Sequence, residues 1–316
     1  MPPTDQPPSD QPPADQAPAD GALGNPDQLA QVFRSVSDDG PSRGTRTIEV
    51  HPAGGLTVRL LPDRGLDIGS AWAGGLLTTC GLRNVGAPSE GHPMHGTATW
   101  LRAADVTVTR LPLPGGQVAV EVRGTLRDAS AFGPSLVLER TVTVRSGVPE
   151  VTVVDRTTNL GPGPEQTPLL YHVNLGAPFV GPATSVRGAL AWTRPRDPAS
   201  AAVAEGWATM GPVVDEERDD VFEHGVTADP EGWAELAVTS PATGLAARVR
   251  WDTGTLPRVH TWRRATRGTY ALAVEPANCS VLGREADRAA GAAPELGPGE
   301  QRTTRVQIRI TPAADR

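Results

Sequence analysis

Hydrophobic and polar residues alternate with a period of two over most of the chain beyond Arg46. Val118, Val120 and Val122 alternate with Ala119, Glu121 and Arg123, and Val306, Ile308 and Ile310 alternate with Arg305, Gln307 and Arg309. Successive side chains of a strand point to opposite faces, so this is the pattern of half-buried antiparallel strands. Leu136, Leu138, Val142 and Val144 also share one parity, with Arg140 breaking their row. Further strands are predicted at Thr57–Leu61, Glu150–Asn159, Pro168–Asn174, Ser185–Trp192, Ala234–Thr239, Ala246–Trp251 and Thr269–Glu275. The stretch Ala199–Asp229 is the least periodic and is predicted irregular. Helical spacing occurs only near the start, where Asn25-Pro26 reads as an N-cap with proline in the first turn, followed by Leu29, Val32 and Phe33. Many strands without alternating helices predict an all-β antiparallel sandwich or barrel with a short N-terminal helix, not a nucleotide-binding α/β fold.

Composition sharpens this reading. The chain has 316 residues, with 35 glycines and 32 prolines, a density that breaks long helices and favours short strands joined by turns. All 29 basic residues are arginine. The absence of lysine excludes Schiff-base chemistry, a pyridoxal phosphate anchor, a phosphate-loop NTPase and a protein kinase. A formal net charge of −7 argues against nucleic acid as a partner. No apolar run approaches the roughly 20 residues of a membrane span, and the first residues lack an apolar signal core. Cys80 and Cys279 form neither a disulfide framework nor a zinc signature, so a reduced, cytoplasmic setting is expected.

The chain opens on a five-residue repeat: Pro-Pro-Thr-Asp-Gln, Pro-Pro-Ser-Asp-Gln, Pro-Pro-Ala-Asp-Gln. Such a segment has almost nothing to bury, and residues 1–27 are expected to form a disordered, proline-rich tail. Gly161-Pro-Gly-Pro164 and Gly297-Pro-Gly299 read as turns rather than linkers, so residues 28–316 are expected to form one domain.

Six histidines narrow the search for chemistry. His95 lies in the glycine- and proline-bounded Gly91-His-Pro-Met-His-Gly96, the kind of loop on which a scaffold displays working groups. His172 lies in the apolar strand Pro168-Leu-Leu-Tyr-His-Val-Asn-Leu-Gly-Ala-Pro178, where His172 and Asn174 share one face with Leu170 and Gly176. Glu275 closes another apolar strand, on the face of Ala271 and Ala273. A carboxylate there is costly unless it is paired or opens on a cavity. Histidine titrates near neutrality and a carboxylate well below it, so the two can act as acid and base in a reaction with no redox step. No two histidines show helical metal-ligand spacing, no Gly-x-Ser-x-Gly elbow occurs, and no cofactor is implied. Seven tryptophans against four phenylalanines and two tyrosines suit stacking on the C–H faces of a sugar, with Trp262, beside Arg263 and Arg264, the best placed.

Six segments in order carry a family resemblance. They are Leu61-Pro-Asp-Arg-Gly-Leu-Asp-Ile-Gly69, Gly75-Leu-Leu-Thr-Thr-Cys-Gly-Leu-Arg-Asn-Val-Gly86, His95-Gly96, Leu170-Tyr-His-Val-Asn-Leu-Gly176, Gly268-Thr-Tyr-Ala-Leu-Ala-Val-Glu-Pro-Ala-Asn-Cys279 and Leu296-Gly-Pro-Gly-Glu300. With them the chain resembles the galactose mutarotase-like superfamily, in particular an aldose 1-epimerase-like bacterial family of unknown function. The resemblance implies a large antiparallel β-supersandwich with a cofactor-free sugar pocket. It implies Glu275 as the base that takes the proton of the anomeric hydroxyl and His172 as the acid that protonates the ring oxygen, one on either side of the sugar. His95 would be a second histidine on a sugar hydroxyl, with Arg64, Asn84 and Asn174 as further hydroxyl contacts and Trp262 in the pocket. Arginine suits a diol because its donor fork is planar and fixed. The chain departs from the pattern at Arg83, where an acidic residue is expected, and at Arg263, where relatives often carry lysine. Asp252 is the candidate for a substrate-positioning carboxylate. Two other readings of the same residues are a sugar-binding or regulatory module without turnover and an isomerase acting at another carbon.

Overall fold

A computed structural model describes residues 25–73, 76–83 and 96–313 of the chain. After one 3-10 turn at Pro26–Gln28 come β1 (Ala30–Val36), β2 (Arg46–Pro52), β3 (Thr57–Leu61), β4 (Asp67–Ala73), β5 (Leu76–Arg83), β6 (Ala104–Pro112), β7 (Val118–Ala129), β8 (Ser135–Arg145) and β9 (Val148–Asn159). The middle of the chain gives β10 (Glu165–Gln166), β11 (Leu170–Gly176), β12 (Ser185–Gly188), β13 (Leu190–Pro195) and a one-turn helix α1 (Pro198–Ala201). Then follow β14 (Asp220–Val226), β15 (Trp233–Ser240), β16 (Leu245–Asp252), β17 (Arg258–Thr266), β18 (Thr269–Ala277), the short helix α2 (Arg284–Ala289), β19 (Glu295–Leu296) and β20 (Gln301–Pro312).

Two large antiparallel sheets carry the fold. One has ten strands in the order β1-β2-β3-β4-β5-β11-β18-β17-β14-β13, the other eight in the order β12-β15-β16-β20-β9-β8-β7-β6. Their inward rows interleave into one apolar core that includes Val120, Val122, Val142, Val144, Val173, Leu175, Val274, Val306, Ile308 and the fully buried Trp251. This is the large all-β antiparallel sandwich expected from the sequence. Among the described residues no helix is long and apolar enough to cross a membrane.

Three local expectations change. The N-terminal helix is limited to the single turn at Pro26–Gln28; Val32 and Phe33 belong to the edge strand β1, whose ladder to β2 outweighs a helical spacing three residues long. Ser185–Trp192 is two strands, because the chain crosses from the eight-stranded to the ten-stranded sheet after Gly188. A Cβ at Gly188 would lie 2.6 Å from the Glu235 carbonyl oxygen, so only glycine permits that approach. Finally, Ala199–Asp229 ends in a regular strand, β14. Its alternation is hidden because polar side chains occupy both faces: Glu223 on one, Asp220 and the buried His224 on the other.

Candidate functional site

Strands β11, β18, β17 and β14 lie side by side in the ten-stranded sheet, and their register builds a row of polar side chains. Val173 pairs with Val274 and Asn174 with Ala273, which brings His172 opposite Glu275. Glu275 pairs in turn with His260, His260 with Glu223, and Glu223 with Arg194. Directly paired residues share a face. The opposite face of the same strands, with Tyr171, Val173, Leu175, Leu272, Val274 and Val259, is the sandwich core. The polar row therefore lies on the outward face of the sheet.

His172 Nε2 is 2.8 Å from Glu275 Oε1, with the two side chains 14% and 5% exposed. The acid and base of the sequence reading thus meet, but side by side across a ladder rather than on either side of a ring. Nearest-neighbour strands are too close to admit a sugar between their paired side chains. One row along, Asn174 and Trp262 flank the small Ala273; a second row along, Gly176 and Arg264 flank Ala271. The Trp262 and His172 rings are 5.9 Å apart between centroids. Ala273 is fully buried between its neighbours, while Ala271 keeps some exposure.

One end of this face is capped. After β18 the chain turns back so that Cys279 packs with Leu170 and Ala277, and Val281 covers them. Asn278 locks the turn: its Oδ1 accepts the Leu169 N–H at 2.7 Å and its Nδ2 donates to the Thr167 carbonyl at 3.1 Å. Under the cap Glu275 and His260 are buried, while His172, Asn174 and Trp262 keep some exposure. Burial pushes the Cys279 thiol far up, so it is not a nucleophile. Glu223 is held below the ordinary carboxylate range although burial opposes it, because Arg194 and Arg258 bond its two oxygens.

Behind His172, on the core side, lies a buried polar network. Arg140 Nε and Nη2 donate to Asp155 at 2.9 and 2.8 Å, and its Nη1 donates to the Gly65 carbonyl at 2.8 Å. Tyr171 Oη donates to Asp155 at 2.8 Å and meets the Thr304 hydroxyl. The Arg140 that broke an apolar row in the sequence thus ties the eight-stranded sheet to β11 and to the β3–β4 turn.

The other predicted residues fare differently. Arg64 lies in the β3–β4 turn, 53% exposed, with its Nε 3.9 Å from Asp67. No contact among the described residues joins it to the His172–Glu275 pair. Asn84 and His95 lie outside the described residues, and Arg83 enters only through its backbone pairing with Leu170. Arg263 points to the other face, where it bonds Asp220 and the carbonyls of Gly206, Trp207 and Thr209. Asp252 is removed from the pair: it ends β16 in the eight-stranded sheet and accepts the Gly254 N–H. His260, Glu223 and Asn278 were not singled out from sequence. The signal for the first two was a pair of strands polar on both faces; for Asn278 it was the Glu275-Pro-Ala-Asn278 run itself.

A hollow of about 1090 Å³ lies elsewhere, on the outer face of the eight-stranded sheet. Trp233, Arg248 and Arg250 line it, and it holds no histidine. Its two carboxylates, Asp229 and Glu235, are bonded to Arg250 and Arg248. With both carboxylates bonded to arginines, this groove offers no acid–base pair, and the row on the other sheet does.

Residues 70–310 match the family Domain of unknown function (DUF4432), and the chain belongs to it. No protein of curated function matches it in sequence. Among solved structures, a Klebsiella pneumoniae protein provisionally described as an aldose 1-epimerase superposes with a TM-score of 0.84 at 18% identity, over 91% of this chain and 87% of its own. A galactose mutarotase-like protein from Clostridium acetobutylicum gives 0.62 at 11% identity, over 90% and 99%. The galactose 1-epimerase of Lactobacillus acidophilus gives 0.62 at 10% identity, over 89% and 99%. At these identities the likeness is one of fold.

Proposed function

We propose that this member of the DUF4432 family is an aldose 1-epimerase-like enzyme that interconverts the anomers of a free sugar without a cofactor. The observation that carries the reading is the His172–Glu275 contact of 2.8 Å on a partly open face, beside the Trp262 ring. In the working form Glu275 is a carboxylate and His172 carries the proton. Glu275 takes the proton of the anomeric hydroxyl while His172 protonates the ring oxygen, and the C1–O5 bond breaks to give the open aldehyde. Rotation about C1–C2 presents the other face of the carbonyl. On closure, Glu275 returns a proton to the carbonyl oxygen and His172 takes one from the attacking hydroxyl, so both groups end as they began.

Because the two side chains touch, the sugar would approach the pair from its open edge, where His172, Asn174 and Trp262 keep some exposure, with its C–H face on Trp262. Asn174 offers an amide to its hydroxyls. Arg64, Asn84 and His95 are proposed as further hydroxyl contacts on the strength of the family resemblance.

The test is anomer equilibration, followed by polarimetry or NMR on a panel of aldoses. Wild-type chain accelerating one of them, and a Glu275→Gln/His172→Asn chain failing to, would support the reading. Equal rates for the two chains would end it. A second reading has its own support, since Glu275 is only 5% exposed and already satisfied in part by His172. A sugar-binding module without turnover would show saturable binding by calorimetry and no acceleration.

A further inference from the structure

His260 is the buried polar group of the site that the reaction leaves without a task. It is fully buried, and neither ring nitrogen has a hydrogen-bond partner among the described residues. Burial holds it in the neutral form, below its ordinary range. A neutral imidazole still carries one N–H donor, and a buried donor left unpaired is costly.

The charged and titratable groups around it are Glu275 of β18, Glu223 and His224 of β14, Arg258 of its own strand and Asp287 of α2. Most are committed. Glu223 takes Arg258 on one oxygen and Arg194 on the other, at 2.6 and 2.5 Å. The oxygens of Asp287 face the Ser280 N–H at 3.1 and 3.3 Å. His224 points to the other face, where its nitrogens meet Thr193 and Thr261. Glu275 is directly opposite His260 in the ladder, on the same face. Directly opposed residues have Cβ atoms about 4.5–5.5 Å apart, so a small side-chain adjustment closes a hydrogen bond between them. Hydrogen bonds in active sites are often long until the site is engaged.

We propose that His260 is a positioning residue for Glu275, donating its ring N–H to the ionised carboxylate so that Glu275 is held between an open imidazole, His172, and a buried one. This role rests on the acid–base reading of Glu275. It makes the base weaker but fixes its direction, and it explains a histidine in a dry place where a valine would pack.

The experiment is a 13C-carboxyl NMR titration of Glu275 in the full chain, which needs no substrate. His260→Phe is expected to raise the Glu275 midpoint by about one unit, and His260→Gln, which keeps a donor, to recover at least half of that. The acid limb of kcat/KM should move by the same amount, with KM little changed. A midpoint that stays put in a folded His260→Phe chain, or that moves equally with Phe and Gln, overturns the proposal. Should His260→Phe fail to fold, the wild-type imidazole 15N spectrum decides: an N–H resonance shifting as Glu275 titrates supports the bond, and one indifferent to it overturns it. A wild-type chain with no anomer interconversion but the expected midpoint shift would reject the acid–base reading and uphold the contact.

Discussion

Asn278 Oδ1 accepts the backbone N–H of Leu169 at 2.7 Å, three residues beyond Glu275 in one strand and three before His172 in the next. The amide thus pins together the ends of β18 and β11 nearest the His172–Glu275 pair, while Nδ2 holds Thr167. Asn278→Ala strands a buried donor and a buried acceptor and is expected to cost about 1–3 kcal/mol, measured by urea denaturation. Activity should fall further than the loss of folded chain accounts for, because the register of the pair loosens.

Glu275→Gln and His172→Asn should each slow anomer interconversion by about 10²–10⁴-fold, and the double variant by little more than the worse single one. The two groups share one contact and one proton cycle, so removing either idles the other. Additive losses in steady-state kinetics would mean that they act separately.

Trp262→Ala removes the ring beside His172 without touching the proton carriers. KM is expected to rise about three- to tenfold with kcat changed less. A drop confined to kcat would place the tryptophan in the chemistry rather than under the sugar.

Arg140→Met leaves Asp155 charged and fully buried without its bidentate partner. The expected loss is about 3–5 kcal/mol in chemical denaturation, with part recovered in Arg140→Met/Asp155→Leu.

His224 is pushed down from 6.5 to about 4, chiefly by burial. The unfolded chain therefore takes up this proton at a higher pH than the folded one. Its contribution is intact above the unfolded value and is lost as pH falls from 6.5 toward about 4, on the order of 3 kcal/mol over that window. Asp197, lowered to about 2 by the Ser200 N–H and Arg196, loses its share only at lower pH. Denaturation curves across the window should show the slope, and His224→Gln should flatten it.

Where one face of a strand was apolar and the other wet, the sequence was legible. Val306, Ile308 and Ile310 are buried against the core as their alternation predicts. His172 and Asn174 share the outward face of β11, and Ala273 and Glu275 share that of β18, as parity alone required. The pattern failed at β14 and β17, whose polar residues on both faces serve the site on one side and Asp220, Arg263, His224 and Thr261 on the other. Arg140 was visible as an exception and was left unexplained, since its partners lie in other strands.

Local sequence determined which residues were strands and which side chains shared a face, because side-chain direction in a strand depends only on parity. Pairing is a different matter. Glu275 lies 103 positions from His172, and nothing near either residue says which strand will lie alongside it at which register. The sheet order, the Asn278 lock and the cap over Ala277 decided that. Hence the two residues were singled out from sequence, but their direct contact, and the buried His260 on the far side of Glu275, came only from how the core selects one alignment of neighbouring strands.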